Sequence, residues 1–387
     1  MPNKTHVAAR TAAAADAAPA VPLTPGQRSP AASYDVALLD LDGVVYSGSH
    51  AIDGAVDALA AARGAGLRLA FVTNNASRSA SAIAEHLTRL GVPVTSADVV
   101  TSAQAAATLI ASRFPPGSPV LVAGSNALRL AVRERGLRPV SLAADHPVAV
   151  VQGYAPDMNY GLLAEAGVAV RDGALYVATN SDSTLPSPRG LQPGNGSLLQ
   201  VIITATGTWP VVAGKPETPL HAEAVARTGA RHPLVVGDRL DTDIEGAVRG
   251  GADSMLVMTG VTSARDAVLA APGRQPTYVA ADLGGLLEPQ PAIGPRGTDG
   301  EAGGGGSASA ASPVSPVSPD GSDGTAARAF RRGGWQARRP GGSAPLELTG
   351  EGAWIDGLRV LCAAAWAAEH VTDELVAPAL ATLGDCR

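Results

Sequence analysis

Lysine is almost missing from this 387-residue chain: it occurs twice, as Lys4 and Lys215, against 27 arginines. A guanidinium is a wide planar fork, whereas an ammonium is a compact point charge with three rotatable donors. A lone internal lysine, in Val211-Val212-Ala213-Gly214-Lys215-Pro216-Glu217, therefore points to a tight place beside an anion that refuses the fork. The plain alternative is a residue that survived by chance on a loop. Cysteine is as scarce. Cys362 and Cys386 both lie near the C-terminus, so the main body has neither a disulfide framework nor a thiolate metal site. Excess positive charge is absent too: the formal net charge of -6 argues against a nucleic-acid or anionic-membrane partner. No apolar run approaches the roughly 18 residues of a membrane span. The Ala- and Pro-rich leader has no continuous apolar stretch of the secretory kind, so a soluble, cytoplasmic protein is expected.

What is present suits a globular interior, with 45% hydrophobic and 17% charged residues. Composition divides the chain. Residues 1–33 are of low complexity and expected to be disordered. From 34 to about 287, short apolar runs alternate with amphipathic stretches. Val36-Ala37-Leu38-Leu39, Leu69-Ala70-Phe71-Val72, Leu234-Val235-Val236 and Met255-Leu256-Val257-Met258 read as buried parallel strands, with helices at Ala55 to Gly64 and Ile244 to Arg249. That alternation implies a doubly wound α/β sheet. Residues 288–345, with the glycine run Gly303 to Gly306 and Ser-Pro repeats, read as a disordered linker. In the tail, 346–387, Trp354, Leu358, Leu361 and Ala365 fall at helical spacing. The expectation is a short helix docked on its own protein, with a partner or dimer contact as the alternative.

The chemistry gathers at strand ends, where an open α/β sheet binds its ligands. The first strand runs into Asp40-Leu41-Asp42-Gly43, two acids on one side followed by a glycine that lets the backbone turn beneath a ligand. The second ends in Thr73-Asn74-Asn75, and a later one in Gly237-Asp238-Arg239-Leu240-Asp241-Thr242-Asp243. Were Asp40, Asp42, Asp238 and Asp243 to converge, their repulsion would demand a cation, and hard oxygen ligands without His or Cys point to magnesium. Lys215 would add a further positive charge. Two other chemistries fail on the residues. Pro216 follows Gly214-Lys215, and Trp209 stands five before Gly214, so this is no phosphate loop of an NTPase; nor does a Gly-x-Ser-x-Gly elbow occur.

These four motifs in this order resemble those of the haloacid dehalogenase superfamily, most of all its NagD-like, 4-nitrophenylphosphatase branch. Asp157-Met158-Asn159-Tyr160 and Ala178 to Pro186 support the likeness, which spans about residues 34–287. It implies a Rossmann-like core, residues 34–115 and 209–287, interrupted by an α/β cap domain of the C2 type at 116–208. It further implies a phosphatase that hydrolyses small phosphate monoesters through an aspartyl-phosphate, with Mg2+ as cofactor. Asp40 would be the nucleophile and Asp42 the general acid and base. Thr73, Gly43, Asn74 and Asn75 would surround the phosphoryl group, and Lys215 would offset its charge. Asp40, Asp42 (through its carbonyl) and Asp238 would hold the metal. Asp243 would reach it directly or through water, or anchor Lys215.

The resemblance places substrate specificity in the cap loop Asn180 to Pro186, including Asp182, with a turn that never meets substrate as the alternative. Leu185-Pro186 and the lack of a basic cluster there favour a small uncharged leaving group: glycerol 3-phosphate first, then 2-phosphoglycolate. Sugar phosphates, nucleotides and pyridoxal phosphate stay open, as do a phosphotransferase outcome, a non-catalytic phospho-ligand binder working through its tail, and a homodimer through the cap. Read this way, a chain ending at residue 287 would be an active phosphatase by itself.

Overall fold

The structure, a computed structural model, describes residues 21–23, 26–187, 189–293, 329–339, 344–368 and 370–384. Strands β1 (Val36–Leu39), β2 (Arg68–Thr73) and β3 (Val99–Thr101) come first in the chain. The next five are β4 (Pro119–Ala123), β5 (Arg138–Val140), β6 (Ala149–Gln152), β7 (Leu175–Ala178) and β8 (Val211–Val212). They form a sheet of their own, in the order β8-β7-β6-β4-β5. The chain then returns through β9 (Pro233–Gly237), β10 (Asp253–Val257) and β11 (Tyr278–Ala280) to a six-stranded sheet of order β11-β10-β9-β1-β2-β3. Both sheets are parallel throughout.

Parallel strands buried on both faces must be apolar on both, which explains the continuous runs. Along β1, Ala37 and Leu39 pack with the helices Ala55–Gly64 and Ala80–Arg89, while Val36 and Leu38 pack with Ser102–Ala111 and Thr218–Thr228. The second cluster continues into Val120 and Val122 of the inserted sheet and Leu128 of the helix Asn126–Glu134, so the two sheets share apolar packing. The far face of the inserted sheet is covered by the helices Tyr160–Arg171 and Asn195–Thr206. The expected helix from Ile244 begins one residue later, at Glu245. Before it, Leu240–Ile244 forms a π-helical turn, a wider coil often found at functional sites.

The C-terminal part departs from the compositional reading. Ala329–Arg332, Trp335–Arg338 and Glu347–Gly350 form an antiparallel sheet, which Val21–Pro22 of the leader joins at its edge; Pro30–Ser33 make a further helical turn. Residues 329–338 are therefore strand and turn where composition implies linker, because Arg331-Arg332 and Arg338-Arg339 mask the strand pattern. The turn between the strands is Gly333-Gly334, both with positive φ (54° and 85°), the conformation a two-residue hairpin needs. Of the stretches expected to be disordered, 1–20, 24–25, 294–328 and 340–343 lie outside the described residues, as does Cys386. The helix Trp354–Trp366 packs on its own chain: Trp335, Leu358, Leu361 and Ala365 share a buried cluster with Ile244, Leu256, Val268 and Val279 of the first domain's elements. No described helix is long and apolar enough to cross a membrane.

Candidate active site

Lys215 lies at the carboxyl edge of the six-stranded sheet and is 9% exposed. Its ammonium donates to Asp40 Oδ1 at 2.5 Å, Asp243 Oδ1 at 2.7 Å and the carbonyl of Val72 at 3.0 Å. Each of the three donors has its acceptor. Burial alone would lower the lysine's pKa, but Asp243 and Asp40 hold it above its usual range. Burial pushes the Asp40 carboxyl up, against the pull of Lys215 and with the push of Asp243 and Asp238.

Asp40, Asp238 and Asp243 each offer a carboxylate oxygen, all within 4.8 Å of one another. The Asp243 oxygens are engaged, one by Lys215 and the other by the amide of Arg239 at 3.2 Å. The structure therefore uses Asp243 to anchor the lysine. Asp238 accepts the Val261 amide at 2.7 Å on Oδ2, while its Oδ1 is buried without a hydrogen-bond partner among the described residues. Burial, then Asp243, push its carboxyl up to about 6. Two buried carboxylates and a half-buried one beside a single ammonium, with one oxygen orphaned, fit a hard divalent cation such as magnesium. Gly43 closes the floor. Its φ is +81°, and a Cβ there would stand 2.4 Å from Asp238 Oδ2. The Asp42 carboxylate lies outside this cluster and accepts the Tyr46 hydroxyl at 3.5 Å; burial raises its pKa.

The remaining expected residues divide. Thr73 is buried, and its hydroxyl accepts the Asn75 amide at 3.1 Å. Asn75 shapes the following turn: its Oδ1 accepts the Ser77 amide and hydroxyl and the Arg78 amide. Asn74 brackets Lys215, its Oδ1 accepting the Lys215 amide at 2.8 Å and its Nδ2 donating to the Lys215 carbonyl at 3.2 Å. The same Nδ2 reaches Asp182 Oδ2 at 3.3 Å, so Asp182 of the inserted segment is brought to the sheet edge. Asn180 is committed to structure, donating to the Asn74 carbonyl at 2.8 Å and accepting the Asp182 amide. The loop beyond becomes a two-stranded hairpin, Thr184–Ser187 with Gly190–Pro193.

Comparison with known proteins places this geometry. Residues 37–138 match the model of a haloacid dehalogenase-like hydrolase, and residues 212–286 a HAD-hydrolase-like model. The chain is 53% identical over 259 residues to the D-glycerol 3-phosphate phosphatase of Mycobacterium tuberculosis, covering 67% of this chain and 72% of that protein. The chain belongs to the haloacid dehalogenase-like hydrolases. Within them it is a phosphatase of the 4-nitrophenylphosphatase type. A 5'-nucleotidase of Bacillus subtilis is 37% identical over 59% of this chain and 89% of its own length. Among solved structures, the M. tuberculosis glycerol phosphate phosphatase in complex with magnesium superposes with a TM-score of 0.76 at 42% identity, over 92% of this chain and 99% of that one. The Thermotoga maritima 4-nitrophenylphosphatase superposes with a TM-score of 0.62 at 30% identity, over 67% and 98%. Residues 332–384 match a third model, a GCN5-related N-acetyltransferase like domain.

Sequence reasoning missed one part of this hydrolase's site. After β10 the strap Thr259-Gly260-Val261-Thr262 passes over Asp238: Thr262 Oγ1 donates to the Asp238 carbonyl at 2.6 Å, and Thr259 Oγ1 to the Gly43 carbonyl at 2.6 Å. A Cβ on Gly260 would stand 2.0 Å from Asp238 Oδ2, so the strap lies directly on the acid. The signal was present, since two hydroxyls and a glycine follow a buried strand much as Thr73 ends another.

Proposed function

We propose that this phosphatase hydrolyses glycerol 3-phosphate, with Asp40 as nucleophile and Mg2+ as cofactor. The observation that carries the reading is the Lys215 ammonium seated between Asp40 and Asp243 at 2.5 and 2.7 Å. That seat puts a fixed positive charge beside the attacking carboxylate, where phosphoryl transfer concentrates negative charge. The identity to a D-glycerol 3-phosphate phosphatase supports the substrate, as does a specificity loop without a basic cluster.

In the mechanism this supports, an Asp40 carboxylate oxygen attacks phosphorus in line, forming an acyl phosphate as the bond to the glycerol oxygen breaks. Asp42, whose carboxyl burial pushes above its ordinary value, gives a proton to the departing alkoxide. It then takes a proton from water, which attacks the acyl phosphate, releases inorganic phosphate and restores Asp40. Thr73 and the Asn74 region line the phosphoryl pocket, and the inserted unit, expected at 116–208 but carrying Val211–Val212 in its sheet as well, acts as the cap that excludes bulk water. Asp40 and Asp238, with the Asp42 carbonyl, would hold Mg2+, which when bound offsets phosphoryl charge and orients the group.

The test is phosphate release with Mg2+ across a panel of glycerol 3-phosphate, 2-phosphoglycolate, sugar phosphates, nucleotides and pyridoxal phosphate. Glycerol 3-phosphate is expected to show the highest kcat/KM; a different leader overturns the substrate. Asp40→Asn is expected to abolish turnover with the fold intact, and retained turnover overturns the nucleophile.

A further inference from the structure

We propose that the C-terminal segment 329–384 clamps the strap that positions Asp238, with Trp366 as the positioning residue. This rests on the magnesium reading above. The Val261 amide is the strap's bond to the Asp238 carboxylate, at 2.7 Å, and it leaves Oδ1 free for a cation. Beyond Thr262 the strap becomes the helix Ala264–Val268, capped by Ser263. Five residues are too few to hold a helix by themselves, since nucleation is costly and pays back only over longer runs.

The tail supplies what is lacking. The Trp366 indole N–H donates to the Ala267 carbonyl at 3.2 Å, and Arg265 Nε donates to Asp373 Oδ1 at 2.5 Å. Ala267 and Val268 are buried in the same apolar cluster as Leu358, Leu361 and Ala365. Ile244, next to the lysine anchor Asp243, sits in that cluster too, with Leu240 packed against it. Asp243 thus stands on an element resting on the tail, and Asp238 is held by a strap that leads into another. A shift of the tail relaxes the strap, and the strap releases the carboxylate from its amide.

The test uses the full-length protein and Mg2+ alone, titrated by isothermal calorimetry without substrate, beside melting temperatures and the Mg2+ dependence of turnover. Trp366→Phe keeps an aromatic ring and removes the donor; Mg2+ affinity is expected to fall about fivefold, the worth of one neutral hydrogen bond. kcat at saturating Mg2+ is expected to stay within about twofold, because no group touching substrate has changed. Arg265→Asp, at an exposed position, is expected to weaken Mg2+ about twofold to threefold, and adding Asp373→Arg to restore it. Variants that melt earlier but bind Mg2+ as the wild type does would make the tail a structural support only and overturn the clamp. A wild type that binds no Mg2+ would overturn the magnesium reading and the clamp with it.

Discussion

Lys215 makes three hydrogen bonds in three directions, to two carboxylates and a backbone carbonyl. A tetrahedral ammonium can satisfy that set, whereas a guanidinium presents its donors in one plane and needs more room. With the side chain 10% exposed, there is no solvent into which the larger head could retreat. Lys215→Arg is therefore expected to fold and to lose kcat by on the order of 10²-fold, the usual cost of misplacing one charge-stabilising donor. Steady-state kinetics on the purified variant check this, and near-normal turnover would return the scarcity of lysine to chance. Composition alone made this residue conspicuous. Its acceptors were only partly legible, because Val72 contributes a carbonyl, and a backbone carbonyl carries no residue identity.

At the level of elements, four strand ends supply the chemistry, and a fifth contact layer holds it in place. Asn74 is the clearest member of that layer. Its amide spans both backbone groups of Lys215 from 141 residues away and also touches Asp182. Asn74→Ala removes these bonds while leaving the strand intact. Stability is expected to fall only by the worth of three hydrogen bonds, about 3 kcal/mol. kcat is expected to fall at least about tenfold, since small displacements of a catalytic group are costly. A loss of stability with unchanged kcat would show that the bracket supports only the fold. The strand ends were legible because a buried parallel strand has a continuous apolar signature and its end is where polarity returns. The bracket was not. The motif's second residue looked like a phosphate contact, and a side chain gripping distant backbone leaves no periodicity to read. The Trp335-bearing sheet was hidden for a related reason: the arginine pairs in and beside its strands resemble linker composition.

For the whole molecule, the decisive fact is that the tail and the catalytic core share one apolar cluster. A domain that merely followed a linker would leave the outer strands β10 and β11 complete without it. Instead Ile244, Leu256, Val268 and Val279, each at most 1% exposed, are buried together with Trp335, Leu358 and Leu361. Arg359, 6% exposed, donates to the Val279 carbonyl at 2.8 Å, tying the tail's long helix to the edge strand itself. Uncovering four such aliphatic side chains forfeits roughly 6–12 kcal/mol at about 1.5–3 kcal/mol each. A whole domain is typically stable by only about 5–15 kcal/mol. A chain ended at residue 287 is therefore expected to be insoluble or to melt far below the full-length protein, the reverse of what composition suggested for it. The full-length chain, in turn, is expected to lose its catalytic sheet and its tail in one cooperative transition, followed together by calorimetry and by the tail's tryptophan fluorescence. Two separate transitions, or a soluble and active 1–287 fragment, would show that the shared cluster is a docking contact and not a common core.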